Sequence, residues 1–210
     1  MTTLAGSSQG STDATGTSAS FDGPYGVTTD GTNLYVAESA EHKIRKIVID
    51  NGIVTTLAGT GSQGNENTAP GTSARFYRPQ GITTDGTNLY VSDYSNHRIR
   101  KIVIDNGTVT TLAGSSSGST DNATGTSASF KKPRGITTDG TNLYVVGDNH
   151  RIRKIVIDNG TVTTLAGSSS GFGDNATGTS ASFNNPNGIT TDGTNLYVTD
   201  WDNHRIRKIE

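Results

Sequence analysis

Asp85-Gly86-Thr87-Asn88-Leu89-Tyr90-Val91 is one of four copies of the same seven-residue phrase in this chain, which begin at Asp30, Asp85, Asp139 and Asp192. Two further phrases recur with them. His-(Lys/Arg)-Ile-Arg-Lys-Ile begins at His42, His97, His150 and His204, and Thr-Leu-Ala-Gly begins at Thr3, Thr56, Thr111 and Thr164. The copies lie about 53 to 55 residues apart. Such a period indicates one structural unit repeated four times.

Each repeat contains four short segments with the composition of β-strands. In the second repeat these segments are residues 81–84, 89–91, 98–104 and 108–113. The sequence Asp105-Asn106-Gly107 predicts a hairpin turn between the last two, because a type I′ turn needs positive φ at both central residues. No segment shows the 3.6-residue period of a helix. Four antiparallel strands per repeat of this length are typical of a β-propeller blade.

The fold class predicted from these repeats is therefore all-β, a β-propeller of four four-stranded blades in a single unit, residues 1–210. We name the strands of a blade a to d. The predicted blades are residues 26–58, 81–113 and 135–166, followed by strands a to c of the last blade within 188–209. Residues 2–6, Thr-Thr-Leu-Ala-Gly, match strand d, so we expect this N-terminal strand to close the C-terminal blade. That pairing would cover an otherwise exposed strand edge.

Three motifs of the repeat resemble the NHL repeat: Pro-x-Gly-Ile at Pro79, Asn-Leu-Tyr-Val-x-Asp at Asn88, and Asn-His-Arg-Ile-Arg-Lys at Asn96. The resemblance covers essentially the whole chain. It implies a propeller from a family that includes interaction platforms and RNA-binding domains, with lyases and hydrolases among its relatives. NHL propellers more often have six blades. We therefore consider both a closed four-bladed ring and a homodimer that forms an eight-bladed ring. The near-identity of the repeats also fits a recent amplification, or an engineered or trimmed fragment.

Composition limits the classes of function. Only 30% of the residues are hydrophobic and 17% are charged, with a net charge of −2. This charge argues against nucleic acid as a partner, although a local basic patch is compatible with it. No run approaches 18 apolar residues, so we expect a soluble chain without a membrane-spanning segment. Without cysteine there is no thiolate metal site. Residues 1–6 contain no recognisable targeting segment, and the compartment stays open.

Residues that recur in every repeat are interpreted as scaffold. The four histidines occupy equivalent positions, so we expect them to form hydrogen bonds with loop backbone rather than to bind a metal ion. Acidic and basic residues are expected to bridge strands b and c, as in the pairs Asp93–Arg98 and Asp200–Arg205. Two sets of recurring aromatic residues are expected to pack between blades: Phe21, Phe76, Phe130 and Phe183, and Tyr35, Tyr90, Tyr144 and Tyr197.

Residues that break the repeat pattern are the candidate ligand-binding residues. They lie in the d–a and b–c connections, which we expect on one face, called here the long-loop face. Non-repeated aromatic residues on one face are typical of a binding surface, although loops also drift freely. The aromatic candidates are Tyr25, Tyr77, Tyr94, Phe172 and Trp201, and the polar candidates near the recurring proline are Arg78, Gln80, Lys131, Lys132, Arg134 and Asn187. The four basic members favour an anionic ligand.

The predicted function is that of a non-catalytic binding platform or assembly scaffold, without a cofactor or a metal ion. Strand a reads Gly-(Val/Ile)-Thr-Thr in every repeat, so the predicted channel wall offers only hydroxyl groups. Such a wall supplies neither acid–base groups nor metal ligands. The expected partner is a protein or a small polar or anionic ligand. One alternative is a metal-dependent hydrolase or lyase of the propeller type, and another is a fragment with no ligand of its own.

Overall fold

The computed structural model describes residues 1–210 and consists of β-strands and one-turn 3-10 segments, with no α-helix. The strands are β1 (Pro24–Thr29), β2 (Asn33–Glu38), β3 (Lys43–Val48), β4 (Val54–Ala58), β5 (Pro79–Thr84), β6 (Asn88–Asp93), β7 (Arg98–Val103), β8 (Val109–Ala113), β9 (Pro133–Thr138), β10 (Asn142–Gly147), β11 (Ile152–Val156), β12 (Val162–Ala166), β13 (Pro186–Thr191), β14 (Leu196–Asp200) and β15 (Arg205–Ile209). The 3-10 segments are Gly16–Ser18, Gly71–Ser73, Tyr94–Asn96, Gly125–Ser127, Gly178–Ser180 and Trp201–Asn203.

The strands form four consecutive antiparallel sheets, in the orders β1-β2-β3-β4, β5-β6-β7-β8, β9-β10-β11-β12 and β13-β14-β15. This confirms the predicted fold class, a β-propeller built from four blades. Each sheet begins at the recurring proline, two residues before the predicted start. The fourth sheet has three strands, and residues 2–6 form no strand. The strand d predicted at residues 2–6 is therefore absent from this structure, and its pairing with the last blade stays a prediction.

The recurring Asp-Gly-Thr-Asn phrase forms the turn between strands a and b. In the first repeat Asp30 Oδ1 accepts hydrogen bonds from the backbone N–H groups of Thr32 and Asn33, at 2.8 and 2.7 Å. The Tyr35 hydroxyl donates to Asp30 Oδ2 at 2.7 Å. Gly31 has φ of 91°, a left-handed conformation that favours glycine. Equivalent bonds form at Asp85, Asp139 and Asp192, so the phrase recurs because one turn is built four times.

The chain divides into two compact units. The first unit is residues 1–96 with 101–110, and the second is residues 97–100 with 111–210. The first contains a core in which Tyr35, Ile44 and Phe76 are fully buried. The second contains a smaller cluster around Val146, Phe183 and Val198.

Buried arginines on strand c connect each of three repeats to the loop that precedes its blade. Arg45 is fully buried and bonds Glu38 at 2.8 Å and Asp13 at 2.7 Å, with its guanidinium carbon 5.0 Å from the centre of the Phe21 ring. Arg153 and Arg207 stack in the same way on Phe130 and Phe183, at 5.0 and 4.7 Å. The recurring phenylalanines thus pack against arginine as well as against apolar side chains.

The predicted Asp200–Arg205 bridge is wrong. Asp200 bonds Arg207 at 2.8 Å. Arg205 instead donates to the Phe172 carbonyl at 3.1 Å. Arg205 and Arg207 lie on the same face of β15, but Arg207 is buried with Asp200 whereas Arg205 is exposed, so the buried acid pairs with the buried arginine. No helix in the structure has the length and apolar character needed to cross a membrane.

Candidate functional site

A cleft of about 570 Å³ lies in the first unit, between the loops of the first two repeats. Its wall consists of residues 23–25, 39, 40 and 42 from the first repeat and residues 63, 77, 78, 80 and 94 from the second. Pro24 and Tyr25 lie at the start of β1 and Gln80 lies at the start of β5, and the other lining residues belong to the d–a and b–c connections. Within this unit both kinds of connection therefore contribute to one site. Five predicted ligand-binding residues line the cleft: Tyr25, Tyr77, Arg78, Gln80 and Tyr94.

Close packing between strands β1 and β5 brings Tyr25 near Gln80. Tyr25 is followed by Gly26, and a Cβ atom on Gly26 would collide with the Gln80 carbonyl oxygen. Glycine is therefore required for the two strands to approach each other at this point. Tyr25 itself remains 54% exposed at the rim of the cleft.

His42 fixes the loop that carries Tyr77 and Arg78. Its Nδ1 accepts a hydrogen bond from the Arg78 backbone N–H at 3.2 Å, and its ring meets the Tyr77 ring edge-on, with centres 5.6 Å apart and an interplanar angle of 88°. Burial lowers the pKa of His42, and the positive charge of Arg78 lowers it further. Since only a neutral imidazole accepts at Nδ1, the lowered pKa stabilises this arrangement.

The same bond recurs in the second unit. His97 Nδ1 accepts from the Lys132 N–H at 3.0 Å, and His150 Nδ1 accepts from the Asn185 N–H at 3.3 Å. The prediction that histidines bind loop backbone is thus confirmed at three positions. Arg78, Lys132 and Asn185 all have φ near 50°, in the left-handed region. The loop geometry is therefore common to the repeats, and only the side chain at this position varies.

Gln80 lines the cleft and carries an unsatisfied buried polar atom. The residue is only 9% exposed, and its Oε1 atom is buried without a hydrogen-bond partner. Leaving such an acceptor unpaired costs roughly 1–3 kcal/mol. A ligand that donates a hydrogen bond to this oxygen would recover that cost. Gln80 is the deepest polar recognition group that the candidate residues provide.

The remaining walls combine aromatic rings with one positive charge. Tyr77 and Tyr94 are partly buried, while Arg78 is exposed and its guanidinium has no ion-pair or hydrogen-bond partner. The Tyr77 backbone N–H donates to Asp93 Oδ1 at 2.8 Å, which holds the residue in place. The cleft therefore offers flat apolar faces, a buried acceptor and an unpaired cation.

The other six predicted ligand-binding residues belong to the second unit, and none of them lines this cleft. Arg134 Nε bonds Asp148 Oδ1 at 2.8 Å, and Lys132 Nζ lies 3.9 Å from Asp148 Oδ2. Two of the four basic candidate residues are thus partly neutralised by Asp148, which lies in the shortened third b–c loop. The others are Lys131, which is exposed, Asn187, which is partly buried, and Phe172 and Trp201, which are 64% and 62% exposed.

Sequence reasoning missed His42 as a wall of the cleft. The histidine recurs in all four repeats and was therefore interpreted as scaffold alone. The Tyr77 ring that contacts His42 does not recur in the other repeats. This departure from the repeat is the sequence feature that could have identified His42 as part of the cleft. No group of three or more His, Asp or Glu side chains is placed to hold a metal ion.

Comparisons with known proteins agree with the fold. Residues 76–102 and 183–209 match the family model described as NHL repeat. The chain is 34% identical over 228 residues to NHL repeat-containing protein 2 of Gallus gallus, an alignment that covers 92% of this chain and 31% of the relative. The chain therefore contains NHL repeats within a β-propeller fold. It spans less than a third of the length of the curated relatives it matches.

Solved structures show the same fold at low sequence identity. A crystal structure of an auxiliary nutrient binding protein from Bacteroides thetaiotaomicron superposes with a TM-score of 0.70 at 21% identity, covering 88% of this chain and 47% of that one. A streptogramin B lyase superposes with a TM-score of 0.53 at 19% identity, covering 89% of this chain and 54% of that one. Propellers of similar fold therefore include both binding proteins and enzymes.

Proposed function

We propose that this chain is a non-catalytic binding module whose ligand occupies the cleft of the first unit. The observation that carries the proposal is the buried Gln80 Oε1, which has no hydrogen-bond partner at the wall of a cleft that contains three tyrosines. Binding sites commonly combine apolar or aromatic walls with a few placed polar groups in a volume of about 300–1,000 Å³. The cleft, at about 570 Å³, lies within that range.

The chemistry of the cleft favours a small polar ring that carries an acidic group. Tyrosine rings present flat faces to a ring of similar size, and the Gln80 oxygen requires an O–H or N–H donor. Arg78 provides a charged partner for a carboxylate, and such charge-assisted bonds are the strongest polar contacts. A uronate, a sugar ring with hydroxyl donors and one carboxylate, is the simplest molecule with all these features.

A nutrient-binding protein has a similar fold, which supports a binding role in general terms. A shared fold does not indicate which ligand is bound. No group of three or more metal-ligand side chains accompanies the cleft, and the His42 Nδ1 atom is engaged by the Arg78 backbone N–H, so we assign the cleft recognition rather than chemistry.

Isothermal titration with glucuronate, and with glucose as the uncharged control, tests this proposal. We expect glucuronate to bind more tightly than glucose. The informative variants are Arg78→Asn and Gln80→Leu. Asparagine occupies the position equivalent to Arg78 in the fourth repeat, at Asn185 with φ of 53°, so the loop accepts it. Loss of a charged hydrogen bond, worth about 1.5–3 kcal/mol, predicts roughly 10- to 100-fold weaker binding for Arg78→Asn.

The matched control is Lys132→Asn, which makes the same kind of exchange at the equivalent position of the next repeat, outside the cleft. This variant should bind glucuronate as the unaltered chain does. Equal affinity in all the variants, or no difference between glucuronate and glucose, would contradict the proposal.

A further inference from the structure

The second unit contains a surface with the same backbone framework as the cleft of the first unit. His150 Nδ1 accepts the Asn185 backbone N–H at 3.3 Å, which is the counterpart of the histidine bond in the cleft. A Cβ atom on Gly135 would collide with the Asn187 carbonyl oxygen, so β9 and β13 approach each other as closely as β1 and β5 do. The side chains on this framework are different. We call this surface the asparagine site and define it by Arg134, Asn184, Asn185, Asn187 and Trp201.

Trp201 lies at the edge of the asparagine site. The register of β13 and β14 pairs Pro186 with Asp200, so the chain leaves β14 beside the start of β13. The N–H of the residue after Trp201 donates to the Asn184 carbonyl oxygen at 3.2 Å. Trp201 occupies the position that Tyr94 has in the cleft, and it is 62% exposed. The site therefore presents a large aromatic face to solvent next to the three asparagines.

The asparagine side chains provide amide groups with unused hydrogen-bonding capacity. Asn185 and Asn187 are both partly buried, and neither side-chain amide forms a hydrogen bond within the protein. Asn184 Oδ1 accepts the Ser170 hydroxyl at 3.0 Å, which fixes the orientation of that amide. A primary amide carries both an acceptor oxygen and N–H donors, so it can form two hydrogen bonds with another amide.

The positive charges beside these amides are compensated. Arg134 Nε lies 2.8 Å from Asp148 Oδ1, with both side chains 20% exposed, and Lys132 Nζ lies 3.9 Å from the other carboxylate oxygen. An anionic ligand would meet the carboxylate of Asp148 as well as the two cations. The asparagine site therefore favours an uncharged ligand, in contrast to the cleft with its unpaired Arg78.

We propose that the asparagine site binds a neutral sugar ring that carries an acetamido group, such as N-acetylglucosamine. The C–H face of the sugar packs against the indole of Trp201, because that face of the ring is apolar. The acetamido N–H and C=O groups pair with the Asn185 amide, and the ring hydroxyls bond Asn187 and the Arg134–Asp148 pair. This ligand class differs from the acidic sugar proposed for the cleft.

Fluorescence titration with N-acetylglucosamine tests this proposal directly. Trp201 is the single tryptophan of the chain, so selectively excited emission reports on this site alone. We expect a saturable blue shift as the sugar covers the exposed indole. Glucose is the control, since it has the same ring without the acetamido group. Loss of the two amide hydrogen bonds predicts roughly 10-fold weaker binding of glucose.

Asn185→Gly removes the side-chain amide and leaves the loop intact. Glycine occupies the equivalent position of the first repeat, at Gly23 with φ of 60°, so the backbone conformation of Asn185, with φ of 53°, accepts it. The variant should bind N-acetylglucosamine about 10-fold more weakly. The matched control is Asn159→Gly, the same exchange in the c–d turn of the same unit, at the opposite end of the strands. This control should bind as the unaltered chain does.

Trp201→Ser removes the aromatic face, and isothermal titration follows this variant because its reporter is lost. Serine occupies the equivalent position of the first repeat, at Ser39, and we expect no detectable binding. Emission that does not respond to N-acetylglucosamine at tens of millimolar would overturn the proposal. Equal affinities for N-acetylglucosamine and glucose, or an Asn185→Gly variant that binds normally, would overturn it as well. Because the emission of Trp201 reports on the second unit, none of these outcomes depends on glucuronate binding in the cleft.

Discussion

The Glu38–Arg45 pair provides a quantitative test of what holds the first repeat together. Both side chains are fully buried, with Glu38 Oε2 2.8 Å from Arg45 Nη1. Glu38 Oε1 also accepts the Asp22 backbone N–H at 2.6 Å. Glu38→Gln keeps the size and an acceptor oxygen but removes the charge. The buried guanidinium then loses its only fully buried counter-charge.

Removing one partner of a buried ion pair typically costs about 3–5 kcal/mol. Arg45 retains Asp13 at 2.7 Å and the carbonyl oxygens of Thr12 and Ser20, at 3.0 and 3.2 Å. We therefore expect a loss of unfolding free energy near the lower end, about 3 kcal/mol. Urea denaturation at pH 7, followed by circular dichroism, measures this change.

The control for this experiment is Glu41→Gln. Glu41 lies 3.9 Å from Lys43, and its side chain is 34% exposed, so solvent screens the pair. Its removal should cost less than about 1 kcal/mol. If Glu38→Gln proves no more destabilising than Glu41→Gln, then the buried pair does not stabilise the repeat and the reasoning is refuted.

Three further predictions concern the recurring turn and the cleft. Tyr90→Phe removes the hydroxyl that donates to Asp85 Oδ2 at 2.7 Å while keeping the buried ring, and should reduce the unfolding free energy by about 1 kcal/mol in urea denaturation. Burial alone would raise the pKa of Asp139, but hydrogen bonds from Asn142 and Thr141 outweigh it and lower that pKa to about 2. Stability from this turn should therefore be complete above pH 3.8 and be lost as the pH falls toward 2, which acid unfolding monitored by circular dichroism would show. The lowered pKa of His42 predicts that protonation opposes its bond to the Arg78 N–H, so the cleft should lose stability as the pH falls below 6.5; an NMR titration that places this pKa at or above 6.5 would contradict the assignment.

The repeat pattern was sufficient to predict the blades, because each strand and turn depends on interactions within about 50 residues. The residues that make these interactions recur in all four repeats. The Asp30 turn illustrates this, since its bonds reach only to Thr32, Asn33 and Tyr35. The buried arginines were not predicted. Arg45 looks like a surface residue in a basic strand, and its burial depends on Asp13, which lies 32 residues earlier in the chain.

Departure from the repeat selected Tyr25, Tyr77, Arg78, Gln80 and Tyr94, which the structure places around one cleft. That these residues bind a ligand stays a prediction. The same criterion also selected Arg134, whose charge is paired with Asp148. The pairing could not be read from the sequence, because it depends on the path of a b–c loop that is one residue shorter than its counterparts.

The most direct test of the binding proposal is an NMR titration of ¹⁵N-labelled protein with glucuronate. We predict that the backbone N–H shifts that change most belong to residues 23, 25, 39, 40, 42, 63, 77, 78, 80 and 94, which line the cleft. We also predict that Gln80→Leu abolishes those changes. Shifts centred instead on Phe172 and Trp201, or no shifts at ligand concentrations of tens of millimolar, would contradict the assignment of the cleft as the ligand site.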